Sequence, residues 1–130
     1  MAIKVKHLKP EFKDYRGFIT RIINEPKIGI QAILLITQKK GTIRANHYHK
    51  KDSHWVYCLS GKFRYYEKNP KKKQSKIQSV IIKPGDIVYS KPGIAHAMKA
   101  LEDTIFLAIT TEKRQQKSYE EDLVRIEIVK

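Results

Sequence analysis

Four of the five histidines in this chain occur at positions that strand geometry brings to one place. His47 and His49 are separated by one residue, and side chains alternate along a strand, so these two imidazoles point the same way. His54 begins the next apolar run, and His96 follows a Lys-Pro-Gly turn later in the chain. Two separate hairpins are therefore expected to direct four imidazoles into one cavity.

Short strands separated by turn residues account for most of the chain. Runs rich in Ile, Val, Tyr, Phe and Thr are bounded by Ser-Gly, Asn-Pro and Lys-Pro-Gly turns, the pattern of an all-β sandwich or barrel. No segment of helical length has apolar residues at spacings of three and four, so no helix is predicted. Besides the strand with the histidine pair, the predicted strands are 30–37, 55–59, 62–67, 76–82, 86–90, 95–100, 104–111 and 124–129.

The length and composition predict a single domain that spans residues 1–130. A chain of 130 residues with 41% hydrophobic content can bury one core and is too short for two ordinary domains. No apolar run reaches the length of a membrane span, and the N-terminus lacks the apolar core of an export signal. The single cysteine, Cys58, excludes an intrachain disulfide and is compatible with a reducing compartment. We therefore expect a cytoplasmic protein with no membrane partner.

The four clustered histidines form a candidate metal site. Imidazole is the commonest protein ligand for divalent transition metals, and zinc, nickel, copper, iron and manganese all accept it to differing degrees. A metal-free site could instead use the same histidines as acids and bases. Val56, Cys58 and Met98 share the faces of these histidines, so the cavity is expected to be largely apolar. The fifth histidine, His7, has no partner in this pattern and is expected to be an ordinary side chain.

The chain is strongly basic, because 27 Lys and Arg residues against 13 Asp and Glu residues give a formal net charge of +14. Much of the excess lies in 68–73, which is most simply interpreted as a solvated hairpin tip. Nucleic-acid binding would need exposed aromatic residues interleaved with basic ones, and 63–66 offers only a weak version of that pattern. We therefore expect an anionic small molecule as the partner, and no nucleic acid.

The spacing of these residues resembles the two motifs of the cupin superfamily. The matching positions are Gly41, His47, His49, His54 and Gly61 for the first motif, and Gly85, Asp86, Gly93 and His96 for the second. The resemblance implies a double-stranded β-helix, or jelly-roll barrel, with a metal site. The chain departs from the family where His54 replaces the usual glutamate and Lys91 the usual proline. A site of four histidines would lack an anionic protein ligand, so its metal would be a stronger Lewis acid.

Further segments resemble enzymes that act on sugar nucleotides. Residues 41–48 look like the catalytic-histidine strand of dTDP-4-dehydrorhamnose 3,5-epimerases, and 14–18 look like their Asp-x-Arg-Gly-Phe segment. Residues 44–50 and the tail at 119–125 are similar to cupin domains of surface-polysaccharide biosynthesis, which include nucleotide-sugar ketoisomerases and capsular epimerases. The resemblance implies an isomerase for a nucleotide-linked keto sugar, whose diphosphate Arg16 and Arg44 would hold.

The metal and the isomerase hypotheses compete for His47. An epimerase or ketoisomerase of this type removes a proton beside a ketone with a histidine base, and the base needs a nitrogen lone pair that no metal occupies. If His47 binds a metal, Tyr57 or Tyr65 could transfer the proton while the metal polarises the ketone. The alternatives outside the isomerases are a metal-dependent dioxygenase-type cupin and a non-catalytic cupin that binds a metal or a sugar.

An apolar face is predicted on the other side of the His54 strand. Trp55, Tyr57 and Leu59 alternate with the residues that share the face of His54. A second copy of the chain could cover such a face, which predicts a homodimer. Cover by the N-terminal strand or by 124–129 is the alternative.

Overall fold

The computed structural model describes residues 3–25, 27–112 and 115–130, and most of its regular structure is β-strand. No helix in these three ranges is long and apolar enough to cross a membrane. The elements are β1 (Lys4–His7), β2 (Phe12–Asp14), β3 (Gly17–Ile19), β4 (Ala32–Gln38), β5 (Ile43–His49), β6 (His54–Ser60), β7 (Phe63–Lys68), β8 (Gln78–Ile82), β9 (Asp86–Ser90), β10 (Ala95–Ala100), β11 (Thr104–Thr110), α1 (Gln116–Asp122) and β12 (Leu123–Arg125).

Two antiparallel sheets of five strands face each other. The β6 sheet has the strand order β1-β9-β6-β11-β4, and the β5 sheet has the order β12-β5-β10-β7-β8. The hairpin of β2 and β3 forms a small sheet of its own. The prediction of an all-β, single-domain jelly roll is confirmed. Strands that follow each other along the chain alternate between the sheets at several points, so residues from both sheets line the space between them.

The predicted strands agree with β4 and with β6 to β11, with ends that differ by two residues or fewer. Two predictions about the tail were wrong. The helix α1 has seven residues, too few to show a helical apolar repeat, and the predicted strand at 124–129 pairs only over Leu123–Arg125. An N-terminal strand was predicted without bounds, and the hairpin of β2 and β3 was not predicted, because its side chains are mostly exposed and carry no clear alternation.

The hydrophobic core fills one part of the space between the sheets. The rings of Phe63 and Phe106 pack with their centroids 5.6 Å apart, and Cys58 is fully buried beside them. Burial raises the pKa of the Cys58 thiol to about 11, so this cysteine is an inert packing residue near neutral pH. The buried core cluster consists of Val56, Cys58, Phe63, Tyr65, Ile82, Val88, Met98 and Phe106.

Two glycines with nearly the same backbone conformation provide a test of how tightly the turns pack. Gly61 between β6 and β7 has φ 84°, and Gly41 before β5 has φ 85°. A Cβ atom on Gly61 would lie 2.3 Å from the carbonyl oxygen of Asp103, whereas one on Gly41 would meet nothing within 4 Å.

We predict that Gly61→Ala lowers the free energy of unfolding by about 3 kcal/mol or more, because overpacking adds to the left-handed strain of alanine. Gly41→Ala should lower the free energy of unfolding by only about 1 to 2 kcal/mol, since the left-handed strain is the only unfavourable effect at that position. Urea unfolding followed by the fluorescence of Trp55 measures both values. Equal losses for the two variants would contradict the packing argument.

Candidate functional site

The four histidines singled out in the sequence come together between the two sheets. His47 and His49 lie on β5, His54 on β6 and His96 on β10, and the exposure of each is 7% or less. Successive ring centroids around the cluster are 4.7, 5.0, 4.9 and 4.8 Å apart, and those of His49 and His96 are 5.9 Å apart. They line a cavity of about 140 Å³ whose walls also include Leu34, Ile36, Val56, Met98 and Phe106.

Strand pairing sets the position of these rings. In the antiparallel ladder of β5 and β10, His47 lies directly opposite His96, so their side chains lie on the same face. His49 follows two residues after His47 and shares that face. His54 reaches the cavity from the facing sheet, because β6 begins shortly after β5 ends.

Two carboxylates lie beside the Nδ1 atoms of two imidazole rings, those of His49 and His54. The Oδ2 atom of Asp122 is 3.1 Å from Nδ1 of His49, and the Oδ2 atom of Asp52 is 3.6 Å from Nδ1 of His54. The other oxygen of Asp122 accepts a hydrogen bond of 2.7 Å from the backbone N–H of Lys51, and that of Asp52 accepts one of 3.0 Å from the N–H of Thr111. Because the backbone holds both carboxylates in place, Asp122 orients His49 through a hydrogen bond and directs its Nε2 away from the carboxylate, while Asp52 lies beside His54 without a hydrogen bond to it.

Asp52 and Asp122 were not predicted as site residues. Asp52 lies between two of the predicted histidines, and its position two residues before His54 was an available signal. Asp122 lies at the end of α1, far along the chain, and only the pairing of β12 with β5 brings it to His49. No spacing rule links residues so distant in sequence.

Burial favours the neutral form of two imidazoles in the cluster, His49 and His96. Burial and then the neighbouring histidines lower the pKa of His96 well below its ordinary value. Burial and then the charge of His54 also lower the pKa of His49, in spite of the two nearby carboxylates. Burial would raise the pKa of Asp52, but its interactions with His54 and Thr111 outweigh this effect and the pKa is lowered. Neutral imidazoles beside an ionised carboxylate can bind a cation or accept a proton.

The donor atoms are close enough together to hold a metal ion. His47, His49 and His96 each offer one ligand atom within 4.8 Å of the others, and His49, Asp52 and His54 form a second such group. Neutral imidazole is the form that binds metals, and a set rich in imidazole suits zinc, copper, nickel and iron. The residues present therefore fit a divalent transition metal.

A bulge in β5 adds Arg44 to the cavity. Residues three apart on a regular strand point to opposite faces, so Arg44 would be expected to point away from His47. Instead, Ala45 and Asn46 have φ values of 72° and 58°, and the register with β10 shifts so that Met98 lies opposite Arg44. Arg44 consequently shares the histidine face, lines the cavity and donates a hydrogen bond of 2.9 Å from Nη2 to the carbonyl of Thr37.

The structure does not bring the two predicted tyrosines to the cavity lining. Tyr57 lies on the opposite face of β6 from His54, as the strand alternation requires. Tyr65 is fully buried with its ring centroid 6.1 Å from that of His96. Its hydroxyl donates to Glu67 at 2.8 Å and pairs with Ser90 at 2.5 Å, and burial raises its pKa well above the ordinary value. Tyr65 therefore packs near His96 without lining the cavity.

Arg16 and His7 also lie outside the cavity. Arg16 follows β2 in the exposed turn of the small hairpin and forms an ion pair of 2.6 Å with Asp14. His7 is an ordinary side chain outside the histidine cluster, as expected, and its Nδ1 atom lies 2.7 Å from the carboxylate of Asp86. This contact joins β1 to the start of β9, and the chain distance between the two residues conceals it from the sequence.

A model of the cupin domain matches residues 34–111, the segment that contains all four clustered histidines. No curated protein matches the chain. Among solved structures, a double mutant of the QdtA 3,4-ketoisomerase from Thermoanaerobacterium thermosaccharolyticum in complex with TDP has 27% sequence identity and a TM-score of 0.71, over 95% of this chain and 86% of that one.

Two further solved structures share the fold at lower identity. A 3,4-ketoisomerase from Helicobacter canadensis is 17% identical with a TM-score of 0.77, over 96% of this chain and 91% of that chain. The epimerase RmlC from Legionella pneumophila, in complex with dTDP-4-keto-L-rhamnose, is 17% identical with a TM-score of 0.77, over 98% of this chain and 73% of that chain. At such identities the likeness concerns the fold alone.

Proposed function

We propose that this chain, which belongs to the cupin family, is a cytoplasmic metal-binding isomerase that epimerises or keto-isomerises a nucleotide-linked keto sugar. The observation that carries the proposal is one cavity lined by four buried imidazoles, two of them beside carboxylates, and by Arg44. Oriented neutral imidazoles suit the transfer of a carbon-bound proton, and a guanidinium suits a phosphate. The 27% identity to a ketoisomerase that was crystallised with TDP supports the same substrate class.

The size and charge of the site support a ligand of which only one part enters the cavity. A cavity of about 140 Å³ is too small for a whole nucleotide sugar, so only the reacting part of the sugar would enter it. The nucleotide would therefore lie outside the cavity, with its diphosphate near Arg44. The formal net charge of +14 favours the approach of such an anion.

We infer that three histidines hold the metal and that the fourth transfers the proton. His47, His49 and His96 form one ligand group, whereas His54 groups with Asp52 and His49. A divalent metal bound by the three would polarise the substrate ketone as a Lewis acid. His54, beside Asp52, would take the proton from the hydroxyl-bearing carbon next to the ketone and deliver it to the former carbonyl carbon, while the hydroxyl proton passes to the former carbonyl oxygen, which gives the keto isomer. Delivery of a solvent proton to the opposite face of the first carbon would give the epimer instead. His47 then need not act as both ligand and base, and neither tyrosine is required as a base.

We predict that protein purified without a nickel column contains about one transition-metal ion per chain. His96→Ala should lose the ion because it removes a ligand, whereas His54→Gln should retain it. His7→Ala, which removes a histidine outside the cluster, is the matched control and should leave the metal content unchanged. Inductively coupled plasma mass spectrometry measures all four proteins. Loss of the ion from His54→Gln would assign His54 as a fourth ligand, and metal-free protein from zinc-supplemented cells would contradict the metal site.

We predict that TDP or UDP binds with micromolar-range affinity, and that Arg44→Ala weakens binding by about 1 to 3 kcal/mol through the loss of charge-assisted hydrogen bonds. Arg64→Ala removes an arginine that bonds to Ser79 on the β5 sheet, and it should have little effect. Isothermal titration calorimetry measures the three affinities. No binding at millimolar nucleotide would lead us to abandon the isomerase proposal.

The same proposal makes a prediction about the chemistry. The zinc form should exchange a carbon-bound proton of a nucleotide-linked keto sugar with deuterated water under anaerobic conditions, because zinc polarises a ketone without changing oxidation state. His54→Gln should abolish the exchange while the protein still binds metal and nucleotide. Nuclear magnetic resonance follows the exchange. Oxygen consumption with a redox-active metal would instead identify a dioxygenase-type cupin, and inactivity in both assays a non-catalytic one.

The outer face of the β6 sheet supports the proposed homodimer. Ile33 and Leu35 on the edge strand β4 are 62% and 67% exposed, and Leu59 on β6 is 44% exposed. The strand β1 pairs with β9 at the other edge of the sheet and leaves this half of the face uncovered. We propose that a second copy covers it. We propose that Arg16, which does not line the cavity of its own chain, contacts the diphosphate bound by the partner subunit in such an assembly.

We predict a dimer at tens of micromolar protein and a shift to monomer in Leu35→Lys, because the lysine would place a charge in an apolar interface. Ile81→Lys makes the same change at an exposed position on β8 of the other sheet and should remain dimeric. Sedimentation velocity distinguishes the species. A monomeric natural chain, or equal dissociation of both variants, would count against this interface.

A further inference from the structure

Asn46 lies at the centre of the bulge that turns Arg44 into the cavity. Its φ of 58° is a left-handed conformation that asparagine tolerates better than most residues. The preceding Ala45 has a φ of 72° and no polar side chain to compensate for it. Two consecutive residues in this conformation persist only when the surrounding structure holds them.

The segment at 126–129, which follows β12, holds this bulge through the amide of Asn46. The Oδ1 atom accepts hydrogen bonds of 3.1 Å from the backbone N–H groups of both Ile128 and Val129. The Nδ2 atom donates a bond of 2.9 Å to the carbonyl of Val129, and the carbonyl of Asn46 accepts one of 3.0 Å from Ile126. Both polar atoms of the side chain are therefore used to bind the same segment.

The consequence concerns the face on which Arg44 lies. A regular β5 would place Arg44 on the side opposite His47, because the two residues are three apart. The extra residue of the bulge reverses this arrangement for Arg44 and leaves the histidines in place, since His47 remains opposite His96 and His49 remains against Asp122. A change in the bulge should therefore alter the position of Arg44 more than the positions of the imidazoles.

We propose that Asn46 is a positioning residue for the substrate anion: by binding the segment at 126–129 it locks the bulge that keeps Arg44 in the cavity. This inference rests on the proposed function, because it assumes that Arg44 binds the diphosphate. It makes affinity for a nucleoside diphosphate dependent on an asparagine and a chain segment that do not themselves contact the ligand.

A double-mutant cycle between Asn46 and Arg44 tests the proposal, with TDP as the probe. Arg44→Ala should weaken TDP binding roughly 10- to 100-fold, and Asn46→Val, which disfavours positive φ and removes the amide, should weaken it to a similar extent. In the Arg44→Ala background, Asn46→Val should add less than about twofold, since both changes remove the same contact. The metal content should be unchanged in all three proteins.

Two further variants keep the test independent of the stability of Asn46→Val. Asn46→Gly permits the left-handed conformation but removes the amide, so we expect a smaller loss of affinity. Val129→Pro removes one N–H donor and leaves Asn46 intact, and its loss of affinity should also vanish without Arg44. Asn69→Val is the matched control, because Asn69 accepts a bond from Lys71 in a turn far from the cavity.

The outcomes separate this inference from the proposed function. If Arg44→Ala binds TDP normally, the anion site of the proposed function is wrong. If Arg44→Ala loses affinity and the Asn46 and Val129 variants do not, only the positioning role is overturned. A loss in Asn46→Val that is equally large with and without Arg44 would also overturn it, since that pattern indicates a general structural effect.

Discussion

The antiparallel ladder between β5 and β10 is the interaction on which the rest of this site depends. It places His47 opposite His96, and the alternation along β5 then directs His49 to the same face. The other edge of β5 pairs with β12, which follows α1 and brings Asp122 against His49. One strand, paired on both sides, thus positions two histidines directly and the carboxylate that orients one of them.

Electrostatics explains why the protein can bury so many titratable groups at one point. Burial and mutual repulsion lower the pKa of His49 and His96, so the rings are neutral and the cavity avoids the large cost of several buried charges. Asp52 stays ionised through its interactions with His54 and Thr111. A neutral imidazole can bind a metal or accept a substrate proton, but the same nitrogen cannot do both. The proposed function therefore assigns the metal to three of the histidines and the proton transfer to His54.

In the proposed function, the cavity and the surface around it bind different parts of the ligand. The four imidazoles and apolar side chains line the cavity, and the exposed Arg44 lies on the same lining, where the proposed function places the diphosphate. The bulge at Ala45 and Asn46 connects this arginine to the tail of the chain. In the proposed function, the anion contact therefore depends on the bulge of β5, whereas the proton transfer depends on His54 of β6.

The sequence alone determined the all-β class, the positions of most core strands and the four histidines, because each depends on local alternation, turn chemistry or short spacing. It could not identify Asp122 as the partner of His49, nor the contact between His7 and Asp86, because both contacts depend on pairings between distant strands. Strand alternation alone would have placed Arg44 outside the cavity. Only the tertiary structure decided that it lines the cavity, because the hydrogen bonds of Asn46 to the tail hold a backbone conformation that no local propensity predicts.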